Sequence, residues 1–406
     1  MPAATQPNTH QRAVPGRLVV LLAVSCGLTV ANLYYAQPLL EMLRRTFQLQ
    51  DSTAGLLITL TQLGYAAGMV FLVPLGDRIE NSRLVSVLLT VTALAMAAGG
   101  LAPTFTVLLA AALVAGATSV VAQVLVPYAA DLAPDHLRGA VVGKVMSGLL
   151  AGILLSRTIG SLLADVAGWR AVYLVSAALM AVLSLVLRRA LPRRAPTSTH
   201  TYGALLRSTT SLVRVHPRLR RRSFYHACMF AAFSAFWTTI SYVLAAAPYN
   251  YSQLQIGLFA FVGAAGALVA PLAGRLADRG LAHRLTPVTC LLASAALAWA
   301  GLAAHQIVAL AAAAVLLDCA VQCSLIFGQH IIYQLDAAAR ARITSVYIAT
   351  FFIGGAIGSQ LGTLAYHWGS WHAVTLTAAA FPVVAVLAWT TDRTHTNRKR
   401  RAAGTV

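Results

Sequence analysis

Twelve stretches of apolar residues, separated by short polar loops, run the length of this chain: 17–40, 53–75, 84–101, 105–128, 141–163 and 171–187, then 224–247, 255–272, 285–304, 307–330, 343–366 and 374–390. At a rise of 1.5 Å per residue, about 20 apolar residues cross roughly 30 Å of hydrocarbon as an α-helix. The pattern predicts an all-α integral membrane protein with twelve transmembrane helices and leaves no stretch for a sizeable soluble domain. The first 16 residues are polar, and the apolar run after them is too long for a signal-peptide core, so it reads as the first permanent span.

The spacing breaks once, between Leu187 and Ser223, where ten arginines from Arg188 to Arg222 stand with no acid among them. Local patterns recur on either side of this break. Asp77-Arg78 with Arg83 returns 201 residues later as Asp278-Arg279 with Arg284, and Gly168-Trp169-Arg-Ala-Val returns 202 residues later as Ser370-Trp371-His-Ala-Val. Asp131 to Arg138 before span 5 similarly matches Asp336 to Arg342 before span 11. Because six spans separate the copies, they share an orientation and predict two pseudo-symmetric six-helix bundles related by an axis along the membrane normal. The expected units are residues 1–187, a basic linker at 188–222, residues 223–390 and a basic tail at 391–406. Within the linker, Leu205, Leu206, Leu212 and Val213 form an apolar stripe that predicts a short surface helix.

Composition agrees. Hydrophobic residues make up 58% of the chain, charged residues 10%, and the mean hydropathy is +0.73, against about 25% charged residues in soluble domains. A net charge of +19 invites a nucleic-acid reading. Its distribution opposes that reading: apart from Arg44, Arg45, Arg157 and Arg170, every Lys and Arg falls at the termini or in the loops after even-numbered spans, counting Lys144 at the edge of span 5 with the loop before it. The positive-inside rule then puts both termini and the arginine loop in the cytoplasm of a cell whose inner (plasma) membrane holds the protein, with anionic lipid headgroups as a partner for the loop and no nucleic acid. The five cysteines all lie in apolar stretches and imply no disulfide framework. Gly139-Ala-Val-Val-Gly143-Lys144-Val145 is one spacer short of a phosphate loop and lacks its hydroxyl, and the histidines, His226, His330 and His367 among them, are scattered. No enzyme, cofactor or metal is expected.

Polar groups inside the spans are therefore the candidate chemistry. Asp318 sits near the middle of span 10, where a carboxylate must be neutral, paired or beside water, and it is the leading candidate to carry a coupled proton. Gln322 follows one turn later on the same face. Arg157 in span 5 falls closer to the outer edge, which predicts snorkelling or helix-end packing and a depth about 10 Å or more from that of Asp318. Spans 1, 4, 7 and 10 also hold Asn32, Tyr35, Gln37, Gln123, Trp237, Thr238 and Tyr242, whereas spans 3, 6, 9 and 12 have no carboxamide or charge in their interiors. Span 7 carries the stripes Phe233-Trp237-Ser241 and Phe230-Ser234-Thr238-Tyr242, suited to an apolar or cationic cargo or to ordinary packing. Small residues recur every fourth position in span 5 (Gly148, Gly152, Ser156, Gly160) and span 11 (Gly354, Gly358, Gly362), a spacing that serves close packing and helix sliding alike.

The twelve spans, the central basic loop and the acidic-basic loop after span 2 together resemble the major facilitator superfamily over the whole chain. The loop signature is clearer in the second half, Gly274-Arg-Leu-Ala-Asp278-Arg279-Gly280; in the first, Val73 and Glu80 stand where glycines are usual. Ala31-Asn-Leu-Tyr-Tyr-Ala-Gln-Pro-Leu39, Leu316-Leu-Asp318-Cys-Ala-Val-Gln322 and Leu335-Asp-Ala-Ala-Ala-Arg-Ala-Arg342 are similar to a bacterial branch of drug and sugar exporters. The resemblance implies a monomeric secondary transporter working by alternating access, with spans 1, 4, 7 and 10 lining a central cavity. It makes Asn32, Tyr35, Gln37, Gln123, Trp237, Thr238, Tyr242 and Gln322 the expected substrate-binding set. It makes Asp77, Arg78, Arg83, Asp278, Arg279 and Arg284 a cytoplasmic gate. The expected function is proton-coupled export of a small organic molecule. The alternatives are uptake or uniport of a sugar, amino acid or organic anion and, from another class, a polytopic membrane enzyme or sensor.

Overall fold

The computed structural model describes residues 15–134, 136–192, 201–336 and 339–403, with side chains at 267 and 392–403 left aside. Asp135, Arg193, Arg194 and the side chains of the basic tail at Arg398 to Arg401 lie outside the described residues. Within them every regular element is helical. The first half contains α1 (Gly16–Ala31), α2 (Ala36–Phe47), α3 (Asp51–Phe71), α4 (Asn81–Gly100), α5 (Phe105–Thr118), α6 (Val121–Leu132), α7 (Arg138–Ala167) and α8 (Trp169–Ala190). Then come α9 (Tyr202–Val215), α10 (Pro217–Ala245), α11 (Gln253–Val262), α12 (Ala270–Asp278), α13 (Ala282–Leu302), α14 (Ile307–Ile332) and α15 (Arg340–Ala403). Eleven helical stretches among the described residues are long and apolar enough to cross a membrane. The last of them, Arg340–Thr391, is broken by non-helical backbone at Gly369 and Ser370, which makes the expected twelve crossings.

The departures from the expected spans have local causes. α2 runs on to Phe47 through what the hydropathy pattern reads as a loop, because Glu41 accepts from Arg44 Nε at 2.7 Å and Arg45 Nε at 2.6 Å. Those i,i+3 and i,i+4 pairs hold the charged turns helical. Three spans expected to be continuous are interrupted. The first bends at residues 32–35, the fourth at Ser119 and Val120, and the eighth passes through a 3-10 segment, Gly263–Val269, between α11 and α12. Backbone of this kind at membrane depth needs burial in protein or a cavity to satisfy its polar groups.

Each half is built on the same seam. A Cβ on Gly148 or Gly152 of α7 would run into the backbone of Ala23 and Gly27 on α1, and one on Gly354 or Gly358 of α15 would run into Ala227 and Ala231 on α10. The second seam lies 204 to 206 residues after the first, so the duplication extends to the packing. Both seams are internal to a half, and the small-residue stripes pack closely there. The turn before Trp169 and Trp371 is duplicated too: Gly168 has φ 79° and Ser370 has φ 55° with ψ −154°. That second conformation suits glycine alone. Ser370→Gly should therefore stabilise the protein by about 1 kcal/mol, read as a higher unfolding midpoint in detergent.

The two halves meet near the end of the bundle remote from Gly16, here called distal. Gln253 Nε2 donates to Pro38 O at 2.8 Å and to Ser161 Oγ at 3.2 Å, Thr158 Oγ1 to Gly257 O at 2.9 Å, and Gln360 Nε2 to Ser52 O at 3.2 Å. Thr59 and Ser359 hydroxyls lie 3.0 Å apart, and Tyr242 Oη donates to Asp51 O at 3.5 Å. At the proximal end, α9 is the surface helix the apolar stripe predicts, with Leu205 and Leu212 buried. It links both halves: Tyr202 Oη donates to Phe71 O, and Arg342 Nη1 donates to Ser208 Oγ at 2.7 Å.

Candidate functional site

Asp318 occupies the middle of α14, about 17 Å along the helix from Ile307. Its Oδ1 accepts from the indole Nε1–H of Trp237 on α10 at 2.9 Å. On its other side lies the 3-10 segment of the eighth span. A Cβ on Gly263 would meet the Asp318 carboxylate, and one on Gly266 would meet Asp318 Cβ and the α14 backbone. The interruption in that span thus brings bare backbone against the acid. Asp318 remains partly accessible at this depth. Gln322, one turn on, is partly accessible as well.

Arg157 does not snorkel. It is 4% exposed, its Nε donates to Gln37 Oε1 at 2.9 Å, and its Cζ lies 5.3 Å from the ring centres of Tyr34 and Phe233 and 4.5 Å from that of Trp237. The expected depth difference from Asp318 is also wrong, because α7 continues to Ala167, past the apolar run. Counted from their distal ends, Arg157 and Asp318 are each about 15–17 Å deep. Their charges act on each other, with the Trp237 indole bridging them: its N–H on the carboxylate, its face on the guanidinium. Trp237→Phe leaves the buried carboxyl oxygen without its donor and should cost about 1–3 kcal/mol, measured as a lower unfolding midpoint.

The bend at residues 32–35 delivers several of these groups. Tyr34 and Gln37 face Arg157 from either end of it, while Asn32 turns away and binds within the first half, donating to Met180 Sδ at 3.4 Å and accepting from Ser176 Oγ at 2.5 Å on α8. Tyr35 packs on Gly160. Thr238 is buried beside Trp237, its hydroxyl unpartnered. Tyr242 belongs to the distal seam and lies 5.3 Å from the Tyr366 ring centre. Gln123 Nε2 donates to Tyr65 Oη at 3.1 Å. Of the expected cargo-binding set, Gln37 and Trp237 thus gather around Arg157 and Asp318, with Gln322 one turn along α14 from the acid; Asn32, Tyr35, Gln123 and Tyr242 make their contacts elsewhere.

Sequence reasoning missed Gln62 and Tyr65 on α3. Gln62 Nε2 donates to Ser234 Oγ at 3.1 Å across the halves, and the Tyr65 ring lies 4.3 Å from that of Phe352, tilted by 46°. Their i,i+3 spacing, opposite Gly355 of α15 where a Cβ would meet Gln62 and Phe230, was the available signal. His226 on α10 is buried against Tyr347 and Phe351, at 5.4 and 4.6 Å, with both ring nitrogens unpartnered.

The expected gate residues behave unequally. Asp77 ends the 3-10 turn Val73–Asp77, is half-buried, and interacts electrostatically with Arg342 of the other half. Arg78, Arg83, Arg279 and Arg284 are exposed, and Asp278 lies 3.7 Å from His330 within its own half.

Comparison with known proteins bears on this architecture. A family model described as the Major Facilitator Superfamily matches residues 20–332 and 222–405. The uncharacterized transporter YgaY of Escherichia coli O157:H7 is 42% identical over 95% of this chain and 97% of its own length. A probable transporter of Streptomyces coelicolor is 35% identical over 91% and 85%. Among solved structures, a bacterial homolog of the human lysosomal transporter Spinster, in an inward-facing and occupied conformation, superposes with a TM-score of 0.74 at 16% identity, covering 93% of this chain and 97% of that one.

Proposed function

From the premise that the chain belongs to the major facilitator superfamily, and is thus a multi-pass membrane transporter and not an enzyme, we propose that it moves a small organic molecule by alternating access, driven by protons carried on Asp318. The observation that carries this reading is an acid in the middle of a membrane helix, hydrogen-bonded to Trp237 and partly accessible. A carboxylate at that depth costs at least about 2.5 kcal/mol by insertion scales. A change in the charge around it, such as arriving cargo makes, therefore shifts its protonation.

Gln37, Gln123, Trp237, Thr238 and Gln322 are the proposed cargo contacts. The proximal end is the proposed cytoplasmic side, on the placement of the basic residues. Opening to the other side then means parting the distal bonds of Gln253, Gln360 and Thr158, while Asp77 and Arg342 supply an ionic contact at the proximal end.

Export in exchange for protons, the mode supported by the exporter-like motifs, requires cargo and proton to compete for Asp318. Cotransport is the second reading, favoured by the buried cation of the same cluster, Arg157. A screen of small molecules in proteoliposomes under an imposed pH gradient tests the common ground: at least one compound should accumulate against its concentration gradient. Gradient-indifferent equilibration of every transported compound would leave a uniporter and no role for the proton.

A further inference from the structure

Arg157 and Gln37 present a specific imbalance. Both are buried, at 4% and 1% exposure, and they bind each other through Arg157 Nε and Gln37 Oε1. Two further polar atoms at this contact, Arg157 Nη2 and Gln37 Nε2, are buried and have no acceptor in the protein. Both are donors only. Three rings, Tyr34, Phe233 and Trp237, surround the guanidinium carbon, and among the described residues the one carboxylate acting on it, Asp318, is engaged by Trp237. The cluster thus supplies a cation, two unspent donors and an aromatic wall.

We infer that the cargo is an organic carboxylate whose oxygens bind Arg157 Nη2 and Gln37 Nε2 while its apolar body lies against the rings, and that it binds together with the proton. Planar guanidinium donors match carboxylate oxygens, whereas an ammonium ion would meet a like charge and no acceptor on that side.

The sign of coupling follows from the groups that face Asp318. These are Arg157 on α7, Tyr34 at the first-span bend, Trp237 on α10 and Cys319 on α14 itself, with no ionisable side chain in the adjoining 3-10 segment. With Asp318 ionised, the cluster is neutral. A cargo carboxylate on Arg157 makes it negative, which favours protonation of Asp318; a protonated Asp318 leaves Arg157 uncompensated, which favours the carboxylate. By reciprocity each tightens the other. Cargo and proton then travel together, and cotransport replaces exchange. This rests on the proposal that Asp318 is the proton site.

The test uses the full-length protein purified in detergent, with acetate, benzoate and 2-naphthoate, each beside its amide and its amine, and binding read from tryptophan fluorescence at pH 6 and pH 8. At least one carboxylate should bind about tenfold or more tighter than its amide and amine, and tighter at pH 6. Gln37→Met, which leaves the guanidinium in place, should weaken carboxylate binding by about tenfold, as should Arg157→Lys, which keeps the charge without the fork. Preference for the amides or amines, binding of none of the carboxylates, or wild-type affinity in both folded variants overturns the carboxylate site. Asp318→Asn separates the two proposals: retained carboxylate binding with its pH dependence abolished supports both, and an unchanged pH dependence removes Asp318 as the proton site while leaving the anion site standing.

Discussion

Asp318→Asn should reduce pH-gradient-driven accumulation to the level of protein-free liposomes while leaving exchange of labelled for unlabelled cargo across the same membrane measurable. Asparagine keeps the size of the side chain and an oxygen to accept from Trp237, so the helix contacts at Gly263 and Gly266 are preserved. What it removes is the ionised state, and with it the energetic link between the proton and the conformational equilibrium. A carrier held in the neutral state still binds and reorients but has nothing for the gradient to act on. Asp318→Glu is the sharper companion: it restores a titratable group but pushes an extra methylene towards the 3-10 segment, where space is set by two glycines. It should retain coupling at a rate reduced by about tenfold or more. Counterflow and gradient-driven uptake measured on the same preparation separate these outcomes. Full gradient-driven accumulation in Asp318→Asn would remove the residue from the coupling.

The second large effect concerns the fold. Gly358→Leu should abolish recovery of folded protein, because the new side chain would be driven into the backbone of Ala231, which cannot change rotamer to make room. Overpacking against movable side chains costs about 1–3 kcal/mol; against a helix backbone the seam itself must separate. Gly152→Leu should act alike at α1 through Gly27. Gly143→Ala is the control: nothing lies within 4 Å of its would-be Cβ, and the substitution should be neutral or mildly stabilising. Size-exclusion profiles of the three variants expressed in parallel, with peak recovery near background for the first two and at wild-type level for the third, check the argument.

The architecture was readable because hydrocarbon imposes it. Runs of about 20 apolar residues and cations confined to alternate loops leave few alternatives, and the matched loops around Asp77 and Asp278 revealed the duplication before any packing was seen. The interruptions were harder to read. Residues 32–35 contain neither proline nor glycine themselves; the breaker is Pro38, which has no N–H for the Tyr34 carbonyl one turn back, and the polar Asn32, Tyr34, Tyr35 and Gln37 hinted that something other than lipid lay beside the bend. The eighth span did carry a sign, in the closely spaced Gly263 and Gly266.

For the candidate site, chemistry was more legible than geometry. Asp318 stood out because a mid-membrane acid is costly, and Trp237 because it lay on an aromatic stripe. Their hydrogen bond depends on the rotation and depth of two helices, which hydropathy does not encode. Arg157 was misjudged for a related reason. Apolarity located the end of its span at residue 163, whereas the helix runs to Ala167 through Asp165, and four residues of helix moved the guanidinium about 6 Å deeper. Asn32 shows the converse: a polar residue expected to face a cavity spends its hydrogen bonds on Met180 and Ser176 inside its own bundle.

Proton coupling at Asp318 is tested most directly by mixing the purified protein, in weakly buffered detergent solution at pH 7.5, with a carboxylate that binds it and following a pH indicator. Binding should draw about one proton per protein out of solution in the wild type and none in Asp318→Asn. Saturating binding without any proton movement in the wild type would contradict the account.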